Sequence, residues 1–190
     1  MKSMLVTLLV LSSFSVFSAN YSCNDADGNK LQNDYNNIIN QSNKCNQEFA
    51  TLNASYDDFF NQPDLNLFGL DKPQTEAEKH KSALIIARLD IEAYKERTGE
   101  YDQLLKQLIL NSRASNSLVD NDISSFLPGY HEFADDCDDE SAFKTVSDKL
   151  IKMGNRLYQN VWKEKSMIQF LQGEIAFRKK IETEVSKTKR

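Results

Sequence analysis

The stretch ESAFKTVSDKLIKMGNRLYQNVWKEKSMIQFLQGEIAFRKKIETEVSKTKR, residues 140–190, decides the fold. Apolar side chains recur in it at Phe143, Val146, Leu150, Met153, Leu157, Val161, Ile168, Leu171 and Ile175. The steps are mostly threes and fours, the repeat of one face of an α-helix. No proline interrupts it, so the spacing predicts one helix of about 45 residues, roughly 70 Å long at 1.5 Å per residue. A helix of that length cannot bury its apolar face alone, and the rest of the chain must cover it. Beyond Val161 the face drifts through Phe170, Phe177, Ile181 and Val185, away from a regular left-handed seam. Gly173 falls in the same zone, at a cost of about 1 kcal/mol against alanine in a helix, which a close approach or a bend would explain. Residues 143–161 therefore read as core, and the second half as the place for a partner.

Working outward, a cleaner repeat lies near the other end of the chain: Leu31, Tyr35, Ile38, Ser42, Cys45, Phe49, Leu52, Tyr56 and Phe59. Its 4-3-4-3 spacing predicts a helix over residues 29–61 with a coiled-coil-like seam, the many asparagines falling on its solvated back. Pro63 and Gly69 then mark a loop over 62–74. Thr75 with Glu78 is a capping box that starts a second helix, carrying Ala77, His80, Leu84, Ala87, Ile91 and Tyr94 on one face. Thr98-Gly99 is expected to end it, glycine being suited to a helix C-terminus. Leu104, Leu105, Leu108 and Ile109 form a shorter amphipathic run, followed by Leu118, Val119, Ile123, Phe126 and Leu127. Pro128-Gly129 is expected to close that run, and Asp138, Asp139 and Glu140 to cap the final helix. Gly and Pro number only 6 and 3, and no period-2 alternation appears, which argues against a sandwich or barrel. The reading is all-α: an elongated up-and-down bundle of three to five helices with long first and last helices.

Residues 1–19 read as a cleaved signal peptide. Lys2 precedes the apolar run from Met4 to Leu11, which is too short for the ~20 residues of a membrane span, and small polar residues follow. Residues 20–190 then form a single helical-bundle domain large enough to fold alone. Localisation follows as periplasmic or secreted, without integral membrane insertion.

Three cysteines, Cys23, Cys45 and Cys137, fit such a compartment and allow one disulfide. If residues 75–127 make one broken leg, the first and last helices run parallel and Cys23 meets Cys137, leaving Cys45 a thiol in the seam. If that segment doubles back, Cys45 with Cys137 becomes the easier pair.

Chemistry-bearing motifs are few. His131-Glu132-Phe133-Ala134-Asp135 begins like the zinc-protease His-Glu-x-x-His, but Asp135 replaces the second histidine, and a chain with 2 histidines is poor in zinc ligands. His80, on an apolar stripe, reads as a half-buried histidine bonded to a neighbour. Asp25-Ala26-Asp27-Gly28-Asn29 matches the middle of a calcium loop but places Cys23 where the first carboxylate belongs, so it reads as a helix start. The acidic run from Asp135 to Glu140 reads mainly as capping. No phosphate loop or nucleophile elbow is present. The reading carries no catalytic residue, no metal and no cofactor.

The stretch ARLDIEAYKERTGEY, residues 87–101, resembles the helix end of type II secretion pseudopilins, which closes on Gly-x-Tyr-Pro. Asp102 stands at the proline position, and no function is carried across.

Charge is the most informative functional hint. Residues 20–140 carry 23 acidic and 10 basic side chains, residues 141–190 carry 5 and 12. One account packs a basic helix against an acidic body. The other makes Lys163, Lys165, Arg178, Lys179, Lys180, Lys187, Lys189 and Arg190 a face for an anionic partner. Export argues against nucleic acid. The expected function is therefore a non-enzymatic exported protein that binds another macromolecule, as a periplasmic adaptor, chaperone-like protein or inhibitor of immunity type. The alternative is association with anionic lipid or polysaccharide of the envelope through the basic C-terminal helix. Self-association is left open.

Overall fold

The computed structural model describes residues 21–61 and 75–188. The signal-peptide reading, the 62–74 loop, Lys189 and Arg190 lie outside the described residues. Helix α1 (Asp25–Asn61) begins four residues earlier than its seam predicts, because Asn24 caps it: Ala26 and Asp27 donate their N–H groups to Asn24 Oδ1 at 3.0 and 2.9 Å. Asp25 and Asp27 thus sit in a first turn, where carboxylates complement the helix dipole. Helix α2 (Glu76–Leu89) starts with the expected capping box of Thr75 and Glu78.

Asp90, rather than Thr98-Gly99, ends α2. Its extended backbone lets its N–H close α2 on Ile86 O while its carboxylate accepts Ala93 N–H at 3.0 Å, capping α3 (Ile91–Ser117). One residue serves both helix ends, and Gly99 becomes an ordinary interior position with nothing within 4 Å of where a Cβ would lie. The likeness of residues 87–101 to a pseudopilin helix end therefore does not extend to the fold.

A π-helical turn (Leu118–Ile123) joins α3 to α4 (Ser124–Asp136), which runs through Pro128. Pro128 follows a turn whose hydrogen-bond register has already shifted, and the Ser124 hydroxyl lies 2.8 Å from both Val119 O and Asp120 O there. Aromatic packing carries the helix past it: the Phe126 ring lies 6.2 Å from Tyr35 and 5.4 Å from Tyr130. The Tyr21 ring packs close on Gly129, where a Cβ would meet Tyr21 Cε2 at 2.6 Å and would have to displace that ring. Asp138, with φ +53°, makes the tight turn, and Asp139 caps α5 (Glu140–Thr188) by accepting Ala142 N–H. At 49 residues α5 is about 74 Å long.

The described residues form an all-α bundle with long first and last helices, as the periodicity predicts. Helices α1 and α5 run parallel at a fixed interval of 114 residues. Cys23–Cys137 and Asn46–Asn160 are each separated by 114. Tyr35 beneath Lys149, Phe49 beneath Lys163 and Tyr56 against Phe170 repeat the same offset. The α3–π–α4 leg returns antiparallel to both. Helix α2 packs along the C-terminal third of α5, its Ala83 and Ala87 against Ile181 and Val185.

That arrangement explains the drift of the α5 face. The partner beside α5 changes from α1 to α2, so its buried stripe rotates to follow. Met167, Leu171, Ile175, Ile181 and Val185 are buried along with Leu150 and Leu157, which corrects the expectation that only the first half is core. Gly173 has open space about it, so no close approach explains it.

The core divides into three apolar clusters. Leu31, Ile38, Leu118, Leu150 and Leu157 form the first, near the disulfide. Leu52, Leu104, Leu108 and Leu171 form the second, and the α2 contacts the third. Buried polar side chains lie between them.

Candidate binding surface

The polar layer between the first and second clusters centres on Glu164, which has 0 % exposure. Asn111 Nδ2 donates to Glu164 Oε1 at 2.7 Å and to Cys45 O at 3.2 Å. Glu164 Oε2 and Ser115 Oγ, both buried, lack a hydrogen-bond partner among the described residues. Burial pushes the Glu164 carboxyl above its ordinary value, opposed by the Asn111 hydrogen bond. One helical turn away, Asn160 Nδ2 donates to Asn46 Oδ1 at 2.8 Å.

The layer between the second and third clusters is built on Arg178. The sequence places Arg178 on a basic face, but it is only 7 % exposed. Its guanidinium lies between the rings of Tyr94 and Tyr101, 4.1 and 5.1 Å from their centroids. Nε–H donates to Thr98 Oγ1 at 3.1 Å and an NH2 proton to Tyr94 O at 3.2 Å. The Thr98 hydroxyl lies 2.7 Å from Glu182 Oε1, so the charge is answered within the bundle. Burial pushes the Tyr94 hydroxyl up to about 12, against the pull of Arg178. Arg178 drops out of the candidate face because the apolar drift of α5 rotates it inward under α3.

The other predicted cations within the described residues stay on the surface. Lys163, Lys165, Lys179, Lys180 and Lys187 are all exposed along α5. What sequence reasoning missed is the apolar part of that surface. Trp162, the chain's single tryptophan, is 72 % exposed, and Ile151 is 51 % exposed. Ile151, Tyr158 and Trp162 are spaced 7 and 4 residues apart, which puts them on one outward stripe of the helix. Phe170, 47 % exposed, contacts Tyr56 edge-on nearby.

Lys152, Arg156, Lys163 and Lys165 accompany this stripe, and none of the four has an ion-pair partner among the described residues. Lys163 Nζ instead lies over Phe49 and Lys165 Nζ over Trp162, at 6.0 and 5.9 Å from the centroids. Over residues 149–173 the sole acidic side chain is Glu164, and it is buried. The outward surface of this part of α5 is therefore cationic and aromatic with no carboxylate of its own, although the exposed Asp120 of the π-helical turn accepts a hydrogen bond from the Tyr158 hydroxyl. The available signal for it was the second apolar stripe, Ile151, Tyr158 and Trp162, each one position after the buried Leu150, Leu157 and Val161.

The remaining candidates make local contacts. His80 Nε2 pairs with Glu184 at 3.1 Å, and His131 Nδ1 with Asp135 at 3.2 Å on the surface. Asp136 accepts Cys23 N–H at 2.6 Å beside the disulfide. Among the described residues no group of three or more His, Cys, Asp or Glu side chains is placed to hold a metal ion. No helix among them is long and apolar enough to cross a membrane. No family model, curated protein or solved structure matches the chain.

Proposed function

We propose that this is an exported, non-enzymatic helical protein that works by binding, in the manner of a periplasmic adaptor, chaperone-like protein or inhibitor, and that it binds through the outward face of α5. The observation that carries the reading is Trp162, exposed on a long helix beside four cations that no described carboxylate neutralises. Tryptophan and arginine are the residue types that dominate binding energy at interfaces, and burying an exposed indole is a large gain on docking. The export reading is supported by the signal-like residues 1–19 and by the Cys23–Cys137 disulfide, a bond that persists in oxidising compartments.

Affinity purification of the mature chain from its native compartment tests this. A protein partner or envelope membrane retained by the wild type, and lost in Trp162→Ala and Lys163→Glu, is expected. A chain recovered with neither, or a partner indifferent to both substitutions, contradicts it.

A further inference from the structure

We infer that the surface met by this face of α5 is an anionic phospholipid bilayer, on which the protein lies peripherally along its long axis. The inference rests on the reading of α5 as the contact surface and names what it contacts. Three observations carry it.

The first is charge. Across residues 149–173 the outward side of α5 offers Lys152, Arg156, Lys163 and Lys165, and its own sole acid is buried. The exposed Asp120 of the π-helical turn meets the stripe at the Tyr158 hydroxyl, and most of the carboxylates fall in residues 20–140. The molecule is thus electrically lopsided, and a negative surface would orient it with α5 down. Two-fold pairing of this face with itself would set like charges against one another, which disfavours a second copy as the occupant.

The second is residue type. Indole is amphipathic and favours the headgroup level of a bilayer, where its ring is apolar-solvated and its N–H stays hydrated. Ile151, Tyr158 and Trp162 form one stripe about 16 Å long at 1.5 Å per residue, with long cationic side chains able to reach phosphates beside it.

The third is shape. The stripe lies on a single helix of 49 residues, a convex ridge. The exposed Phe170 and the half-buried Phe49 and Tyr56 of α1 add aromatic surface on the α1 side of that ridge. A convex ridge needs a matching slot in a protein partner, whereas a bilayer interface deforms to accept it.

Trp162 is the single tryptophan, so its fluorescence reads this site alone. The mature, disulfide-bonded chain is titrated with vesicles of phosphatidylglycerol and phosphatidylethanolamine, and separately with phosphatidylcholine alone. With the anionic vesicles, Trp162 emission is expected to move to shorter wavelength and acrylamide quenching to fall, with reversal by salt and no response to phosphatidylcholine. Lys152→Gln and Lys163→Gln should each weaken partitioning about fivefold. Wild-type emission that stays unchanged with anionic vesicles, or shifts equally with phosphatidylcholine, overturns the inference. So does vesicle co-sedimentation that leaves Trp162 fully quenchable, which would place the contact at Lys179, Lys180 and Lys187. If vesicles leave Trp162 exposed while a native partner still depends on Trp162, the lipid inference falls and the binding reading stands. If neither depends on Trp162, both fall.

Discussion

Asn46 and Asn160 face each other across α1 and α5, joined by a 2.8 Å hydrogen bond at the same 114-residue interval that separates Cys23 from Cys137. The polar pair and the disulfide therefore hold one parallel register. A slip of one heptad would separate the two amides, the way polar seam residues specify register in coiled coils. The disulfide links residues 114 apart in sequence, and removing it should cost about 2–5 kcal/mol, mostly by freeing the unfolded chain. Urea unfolding of Cys23→Ser/Cys137→Ser checks this. A lower midpoint with helicity retained is expected, and an unchanged midpoint would count against the disulfide.

Glu164 should make stability depend on pH. In the unfolded chain its carboxyl ionises near the ordinary value of 4.5, whereas burial raises that value in the fold. Between the two values the folded state keeps a proton that the unfolded chain has released. Stability from this group is thus complete below about 4.5, declines as pH rises through the folded value, and is flat above it. Glu164→Gln cannot titrate, so its denaturation midpoint should lose that decline. Superimposable pH profiles of the two proteins would refute the assignment.

Arg178 separates a structural cation from the candidate surface cations. Arg178→Ala strips the contacts to Tyr94, Thr98 and Tyr101 and the two hydrogen bonds to Thr98 and Tyr94 O, a loss of about 2–4 kcal/mol. Lysine should restore only part of it, lacking the planar fork that stacks between two rings. Lys180→Ala and Lys187→Ala, both exposed, should stay within about 0.5 kcal/mol of wild type. Thermal denaturation of the four variants decides whether the distinction holds.

Gly99 and Gly173 lie inside helices with open space for 4 Å around the point that an alanine methyl would occupy. Each alanine replacement should stabilise by about 0.5–1 kcal/mol, through the lost freedom of the unfolded chain and better helix propensity. Urea midpoints measure the gain. A destabilised Gly173→Ala would mean that the helix needs a bend or approach at that position after all.

Much of the fold is legible in the sequence because it rests on local periodicity. The α1 seam, the Thr75–Glu78 capping box and the uninterrupted α5 all follow from spacing, whereas the choice between Cys23–Cys137 and Cys45–Cys137 turns on whether residues 75–127 double back, which spacing leaves open. Helix ends are less legible, since Gly99 and Pro128 are local stop signals that tertiary packing overrides. Asp90 caps two helices at once, a role that nothing in its own neighbourhood distinguishes from that of an interior acid. The surface is half legible. Lysine density points to α5, but Arg178 and Trp162 are sorted into inside and outside by which neighbour covers each turn. That depends on α3 lying over Arg178 and leaving Trp162 uncovered, a relation that no window of local sequence contains.

We propose that the outward face of α5 is where this protein meets its partner, and site-specific photo-crosslinking checks this in the native compartment. The photoreactive residue is placed at the exposed Gln159, between Tyr158 and Trp162, and as a control at the exposed Leu110 of α3. Discrete adducts are expected from position 159, reduced by Lys163→Glu, and none from position 110. Equal labelling from both positions, or none from 159, would overturn the proposal.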